Sequence, residues 1–258
     1  QPPELREERD DLETPPPTLL TLDDICSDLH SHTTASDGHL SIADMAAEAM
    51  RLGYHTLAIT DHSRSSVQAN GLSEERLLEH IEAIHAVDAA MPGIRLLAGS
   101  EVDIHADGRL DYDDTTLAKL DLVVASPHAA LKQSPEDATT RLIAAVSNPH
   151  VHVLGHPTGR MIGRRPGLEP DMHAVAEAAA ANNTALEINA NPQRLDLRDR
   201  HVRIAIAAGA LISINTDAHA AEHFSFMRYG VLTGRRGSLR ADQCINAWDA
   251  DRLLKWLD

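Results

Sequence analysis

Two hydrophobic periods alternate along this chain. Short apolar runs bounded by Gly, Pro, Asn or Asp recur at residues 27–32, 55–62, 94–104, 121–128, 151–157, 184–191 and 211–219; runs of this length and composition predict buried strands. After them, apolar residues return at helical spacing, most clearly over 42–52, 73–91, 135–146, 171–182 and 200–208. Ser73 ahead of Glu74 and Glu75 is close to a capping pattern, and Gly53 and Gly209 fit helix stops. Strand followed by helical material, repeated, predicts parallel strands joined by helical crossovers, the pattern of repeated β-α units.

Length and composition agree with that frame. A chain of 258 residues, 43% hydrophobic, can bury one large core. Residues 1–22 carry charge runs and then Thr14-Pro15-Pro16-Pro17, which suits an extended linker or tail, so the domain proper is expected over 23–258. No apolar run reaches the roughly 18 residues a membrane span needs, and the start is Pro- and Glu-rich, so a soluble, cytoplasmic protein with no membrane partner is expected. Cys26 and Cys244 stand far apart without a thiolate metal spacing and read as buried thiols. A net charge of -16 with 3% aromatic residues argues against a broad electrostatic nucleic-acid surface, so any such substrate must be held locally.

The sixteen histidines change the picture. His30, His32, His62, Glu101, His128, His156, Asp217 and His219 all fall at or near the last residues of their predicted strands. In parallel barrels that end of the strands forms one rim, so residues distant in sequence are expected to meet there. His30-x-His32 and Asp217-x-His219 each offer two groups to one side, because i and i+2 of a strand share a face. Imidazole mixed with carboxylate and no thiolate suits zinc, manganese or iron better than an all-oxygen magnesium site. Asp37, in Thr33-Thr34-Ala35-Ser36-Asp37-Gly38, brings the candidates to nine, too many for one ion and enough for two or three. Its competing reading is a turn or helix cap. Any one strand-end histidine is more often structural, but a recurring offset across the set is not explained that way.

Arg160, just after the His156 strand, and Arg64, just after His62, are the candidates to bind substrate phosphate through the guanidinium fork. Arg164-Arg165 reads as a solvated loop, and Asp61 as a residue orienting a ligand from behind. The other ten histidines, His80 among them on a predicted helix, read as surface or packing residues. His80→Ala is therefore expected to alter neither metal content nor rate.

The motifs His30-x-His32 with a Ser-Asp-Gly turn, Thr60-Asp61-His62, Gly99-Ser100-Glu101, Ser126-Pro127-His128, Gly155-His156-Pro157 and Thr216-Asp217-Ala218-His219, in this order, resemble the polymerase and histidinol phosphatase (PHP) superfamily. The likeness covers nearly the whole chain and matches all nine positions. Pro2-Pro3-Glu4-Leu5-Arg6-Glu7, Gly155-His156-Pro157-Thr158-Gly159-Arg160, Glu187-Ile188-Asn189-Ala190-Asn191-Pro192 and the stretch 246–257 are most similar to the C-terminal PHP domain of bacterial family X DNA polymerases. By that likeness the upstream polymerase region is missing from this chain, which is expected to be an excised domain or a C-terminal portion, with a polymerase domain as its partner in a full-length protein.

The resemblance implies a distorted seven-stranded (β/α)7 barrel with three divalent metals at the C-terminal ends of the strands. In that scheme His30, His32, Glu101 and Asp217 hold the first metal. Glu101 bridges to a second that also takes His128 and His156, and Asp37, His62 and His219 take the third. Three divalent ions less three carboxylates and one hydroxide leave a charge of about +2, a local field that selects a phosphate-bearing group. Metal coordination lowers the pKa of bound water to about 7, so no side-chain nucleophile is needed for attack at phosphorus. In this scheme Glu101, His128, Asp217 and Arg160 carry the catalysis. The expected activity is 3'-5' exonuclease or 3'-end processing of DNA. Two alternatives stay open: a small-molecule phosphatase of the histidinol-phosphate type, and a non-catalytic PHP module that keeps the fold as a platform, against which the intact ligand set speaks.

Overall fold

Residues 18–257 are described by a computed structural model. Most of the predicted linker over 1–22 lies outside them, as does the motif starting at Pro2. At its described end Leu19 and Leu20 are buried, and the Leu20 amide donates to the Leu239 carbonyl at 2.9 Å.

Seven parallel strands form one sheet in sequence order: β1 (Ser27–Asp28), β2 (Thr56–Ile59), β3 (Arg95–Asp103), β4 (Leu122–Ser126), β5 (Val153–Leu154), β6 (Ala185–Asn189) and β7 (Ile212–Asn215). The ends curl together: Ser31 bridges Ala218 in parallel register, and the His32 amide donates to the Ala218 carbonyl at 2.8 Å. The result is the expected seven-stranded α/β barrel, nearly closed. Every predicted run contains its strand, but the ladders are shorter than the runs. Five of the seven, β1, β2, β4, β5 and β7, stop short of the polar residues at the rim, where the backbone bends away to aim side chains inward.

The intervening helices are α1 (Ile42–Arg51), α2 (Glu74–Ala90), the short α3 (Asp114–Leu117), α4 (Pro135–Val146), α5 (Met172–Ala181), α6 (Asp199–Ala207), α7 (Met227–Arg236) and α8 (Ala250–Leu257). Ser41, Ser73, Ser134 and Asp171 each cap a helix by accepting a backbone amide of its first turn. α7 is not among the predicted helices, because Gly230 and Gly234 lower its helix propensity. Both glycines serve packing, since a Cβ on Gly230 would meet Ala190 Cβ at 2.9 Å and collide with Ile214.

Two hydrophobic clusters divide the molecule. The larger lies between barrel and helices and includes Met45, Leu57, Ile84, Leu142, Val175 and Ile214. The smaller fills the barrel with Leu29, Ala58, Leu97, Val124, Val153 and Ala185 and is sealed below by Ile245, Trp248 and Leu253. Strand alternation then places the chemistry. Two and four residues beyond Ala58, Leu97 and Val124 on the same face come Thr60 and His62, Gly99 and Glu101, Ser126 and His128. The apolar plug at one end of the barrel thus becomes the polar floor of a site at the other.

Candidate metal centre

The nine predicted residues converge. Three sets of donor atoms each lie within 4.8 Å of one another: His30, His32 and Asp217; His62, Glu101 and His128; and His32, Asp37, His62 and His219. Glu101 stands between the sets. Its Oε1 lies 2.9 Å from His156 Nε2, 3.2 Å from His128 Nε2 and 3.4 Å from His30 Nε2, while Oε2 lies 2.9 Å from His62 Nδ1 and 3.6 Å from His32 Nε2. Asp37 Oδ1 is 3.3 Å from His219 Nε2 and 3.6 Å from His62 Nε2. His156 comes in from an off-parity position after β5. It and Asp217 adopt left-handed backbone, at φ 23° and 54°, a conformation costly for non-glycine residues and frequent where a site demands an exact side-chain direction.

A ring of residues that strand-end reasoning does not mark orients the imidazoles. Glu187 Oε1 takes His30 Nδ1 at 2.8 Å, and Glu187 Oε2 accepts the His156 amide at 2.6 Å. Asp103 Oδ1 takes His128 Nδ1 at 2.5 Å, with Ser65 and Ser66 donating to its other oxygen. The Asp217 carbonyl faces His219 Nδ1 at 2.8 Å, and Asn189 donates to Asp217 Oδ2 at 3.0 Å, leaving Oδ1 toward His32. Fixing one ring nitrogen determines the tautomer and turns the other toward the centre. Alternation could have found Glu187, which shares the inner face of β6 with Ala185.

Asp61 has the supporting place expected of it, but for a loop. Its buried carboxylate accepts the Thr33 amide and hydroxyl at 2.9 and 2.7 Å and the Ser36 amide and hydroxyl at 3.2 and 2.5 Å, clamping the turn that presents Asp37. A fifth donor is His80 Nε2, at 2.7 Å from α2. His80 is therefore not the inert helix residue expected from its position, because periodicity along α2 cannot reveal a partner on the opposite element. Arg64 and Arg160 are likewise engaged away from the centre. Arg64 donates to Glu74, to Asp111 Oδ1 and to the Asp111 carbonyl. Arg160 donates to the carbonyls of Arg194 and Leu195. The guanidinium beside the centre is that of Arg194, with Nε 3.8 Å from Asp217 Oδ2 and Nη1 buried without a partner.

These residues fit bound cations. His30 Nε2, both ring nitrogens of His32, His62 Nδ1 and His156 Nδ1 are buried without a hydrogen-bond partner, and each such group costs about 1–3 kcal/mol unless something takes its lone pair or proton. Burial opposes ionisation of Glu101, yet His128 and His30 outweigh it and hold the carboxyl well below the ordinary range. Asp217 is also held low, burial being overcome by His30 and His32. Burial, with His219 and His62 nearby, pushes His32 down to about 4, which leaves it the neutral imidazole a metal requires.

A β/α barrel whose C-terminal rim gathers six histidines and three carboxylates belongs to the metal-binding barrels. The PHP domain signature matches residues 28–191, and the chain belongs to that family, the PHP superfamily of metal-dependent phosphoesterases. It is 45% identical over 248 residues to the "DNA polymerase/3'-5' exonuclease PolX" of Bacillus subtilis (strain 168), a match that covers 95% of this chain and 44% of that protein. The chain thus spans less than half of that relative. A "Probable phosphatase" of Syntrophotalea carbinolica is 30% identical over 230 residues, covering 85% of this chain and 90% of its own. In fold, the chain is similar to the histidinol phosphate phosphatase of Lactococcus lactis, which was solved with zinc, L-histidinol and phosphate: TM-score 0.60, 16% identity, 83% of this chain and 94% of that one. No helix among the described residues is long and apolar enough to cross a membrane.

Proposed function

We propose that this chain hydrolyses phosphodiester bonds at DNA 3' ends with two or three divalent cations, manganese, zinc or iron, held by His30, His32, Asp37, His62, Glu101, His128, His156, Asp217 and His219. The observation that carries the DNA reading is the 45% identity over 95% of the chain to a protein named as a 3'-5' exonuclease. In that protein the matching part is one portion of a longer chain, so a polymerase domain in the same chain is part of the proposal.

When bound, such cations supply Lewis acidity that activates water and stabilises charge on the leaving oxygen. The protein's own contribution is positional. Glu187, Asp103 and the Asp217 carbonyl hold His30, His128 and His219 with one nitrogen facing the centre. Glu101 offers one oxygen to His30, His128 and His156 and the other to His32 and His62, as a carboxylate shared between two cations would. Arg194 replaces Arg160 as the group placed to donate to a phosphate oxygen. Its unpartnered Nη1 and its neighbour Asp217 put the fork at the edge of the cluster.

A second reading, a small-molecule phosphatase, has its own support in the phosphatase relative matched over 90% of its length. Three measurements on the purified chain separate the readings: bound metal, hydrolysis of a labelled DNA 3' end with added manganese, and turnover of a chromogenic diester and of a phosphomonoester. Removal of 3'-terminal nucleotides supports the proposal. Monoester turnover without DNA cleavage supports the phosphatase, and absence of metal and of all turnover leaves a structural module.

A further inference from the structure

Beside the centre, the loop after β5 folds into a small hairpin, closed by an antiparallel bridge between Met161 and Arg165. With Arg198 just before α6 it borders a shallow, open depression of about 490 Å³ lined by Arg160, Arg164, Arg165 and Arg198, with Glu169 the sole carboxylate among the described residues that line it. Four guanidiniums against one carboxylate is a local charge of about +3 on a chain of net charge -16. Arg164 is exposed at the tip, and Arg198 Nε is buried with no hydrogen-bond partner. An unpartnered buried N–H beside three other arginines is a donor waiting for an acceptor, and arginine remains charged at any working pH.

The hairpin that lines the pocket is tied to the loop that carries Arg194 beside the metal centre. The Ile162 amide donates to the Gln193 carbonyl at 2.7 Å and Arg160 Nε to the Arg194 carbonyl at 2.8 Å, so hairpin and Arg194 loop are tied together. Arg194 in turn reaches Asp217 at 3.8 Å. Asp217, Arg194 and the arginine hairpin are thus linked by successive contacts. Ile162, 52% exposed on the same hairpin, adds an apolar face beside the guanidiniums.

We propose that this arginine-lined pocket is a subsite for the sugar-phosphate backbone of single-stranded DNA, holding the nucleotides just upstream of the bond at the metal centre. The inference rests on the 3'-end reading above and gives it a selection mechanism. A small phosphate ester seated among the metal ligands has no second phosphate to place in the pocket, whereas a strand supplies one at every nucleotide. Arg164 and Arg198 are placed to donate to phosphate oxygens, Arg160 and Arg165, each donating to a backbone carbonyl, add their charge, and the exposed Ile162 offers a surface to an unstacked base, the combination single-strand recognition uses.

The test uses the metal-loaded protein and three substrates: a labelled single-stranded DNA oligonucleotide, a dinucleotide too short to reach the hairpin, and bis(p-nitrophenyl) phosphate. Arg164→Glu is expected to raise the oligonucleotide KM severalfold, and the Arg164→Glu, Arg198→Gln pair about tenfold or more, with kcat little changed. Dinucleotide and chromogenic turnover should stay within about twofold. The salt slope of log kcat/KM for the oligonucleotide should flatten by about 0.7 for each phosphate that the variant no longer neutralises. Should the double variant unfold, Arg164→Glu alone carries the test, because that side chain is exposed. If the wild type trims the oligonucleotide but Arg164→Glu matches it in KM and salt slope, or slows all three substrates equally, the subsite is wrong and the 3'-end reading stands. If the wild type turns over bis(p-nitrophenyl) phosphate but neither DNA substrate, both fall together.

Discussion

Replacing His80 tests how the Asp37 turn is held. His80 is 8% exposed and donates from Nε2 to Asp61 Oδ2 at 2.7 Å. Burial works against ionised Asp61, but the hydrogen bond from His80, together with Ser36, prevails and holds its pKa down to about 2. His80→Ala removes a hydrogen bond to a buried charge, about 1.5–3 kcal/mol, and the packing of a buried ring, about 1 kcal/mol more. The donors from Thr33 and Ser36 remain, so the carboxylate is not stripped and a total of about 2–4 kcal/mol is expected. In a domain of this size that lowers Tm by about 5–12 °C. The same loss frees the turn that carries Asp37, so metal content should fall at the Asp37, His62 and His219 group before it falls elsewhere. Urea unfolding and metal analysis of His80→Ala would be set against His85→Ala, a half-exposed residue of the same helix, for which a change within about 0.5 kcal/mol is expected. Equal stability and equal metal content in the two variants would refute the clamp.

Four other outcomes are expected. Glu101→Ala should abolish turnover and reduce bound metal while far-ultraviolet circular dichroism stays unchanged, and Glu187→Gln, which disturbs His30 from behind, should weaken metal affinity about 10–100-fold by competition with a chelator. In Gly155→Ala the new Cβ would sit 2.7 Å from Val124 Cγ1 and against Ser126 Oγ, costing about 1–3 kcal/mol of stability in chemical denaturation and displacing His156, so metal content should drop as well. Burial, with Arg198 and Arg200 beside it, depresses the His201 pKa to about 4. Between about 6.5 and 4 the unfolded chain takes up a proton that the folded chain refuses, so this residue's contribution is full above that window and declines as pH falls through it. The stability of His201→Gln should therefore decline less than wild type between pH 7.5 and 5, measured as urea midpoints.

The seven strands, their order around the barrel and the nine residues that converge at its rim were legible because one device recurs. A strand of fixed direction puts its last residues on one rim, and a period of two keeps His62, Glu101 and His128 in line with Ala58, Leu97 and Val124 below them. Strand ends were not legible, since the residues that make the rim polar also pull the backbone out of the ladder, as His156 and Asp217 show with their left-handed φ. The helix α7 was hidden by glycines that lower helix propensity but serve close packing, Gly230 on Ile214 and Ala190 and Gly234 on Leu239.

The supporting residues follow a different logic, which explains why local pattern finds the ligands more readily than what holds them. A ligand must sit at the rim, a place sequence periodicity marks, but its partner need only touch it from any neighbouring element. Glu187 reaches His30 from β6, Asp103 reaches His128 from β3, and His80 reaches Asp61 from α2. The two guanidiniums nearest in sequence to ligands, Arg64 and Arg160, are spent on Asp111 and on the carbonyls of 194 and 195. Arg194, 23 residues before Asp217 in the chain, is the one that comes beside it. Proximity along the chain therefore predicts which strand end a group belongs to, whereas the direction of its charge is decided by contacts between strands and loops that only the closed barrel creates.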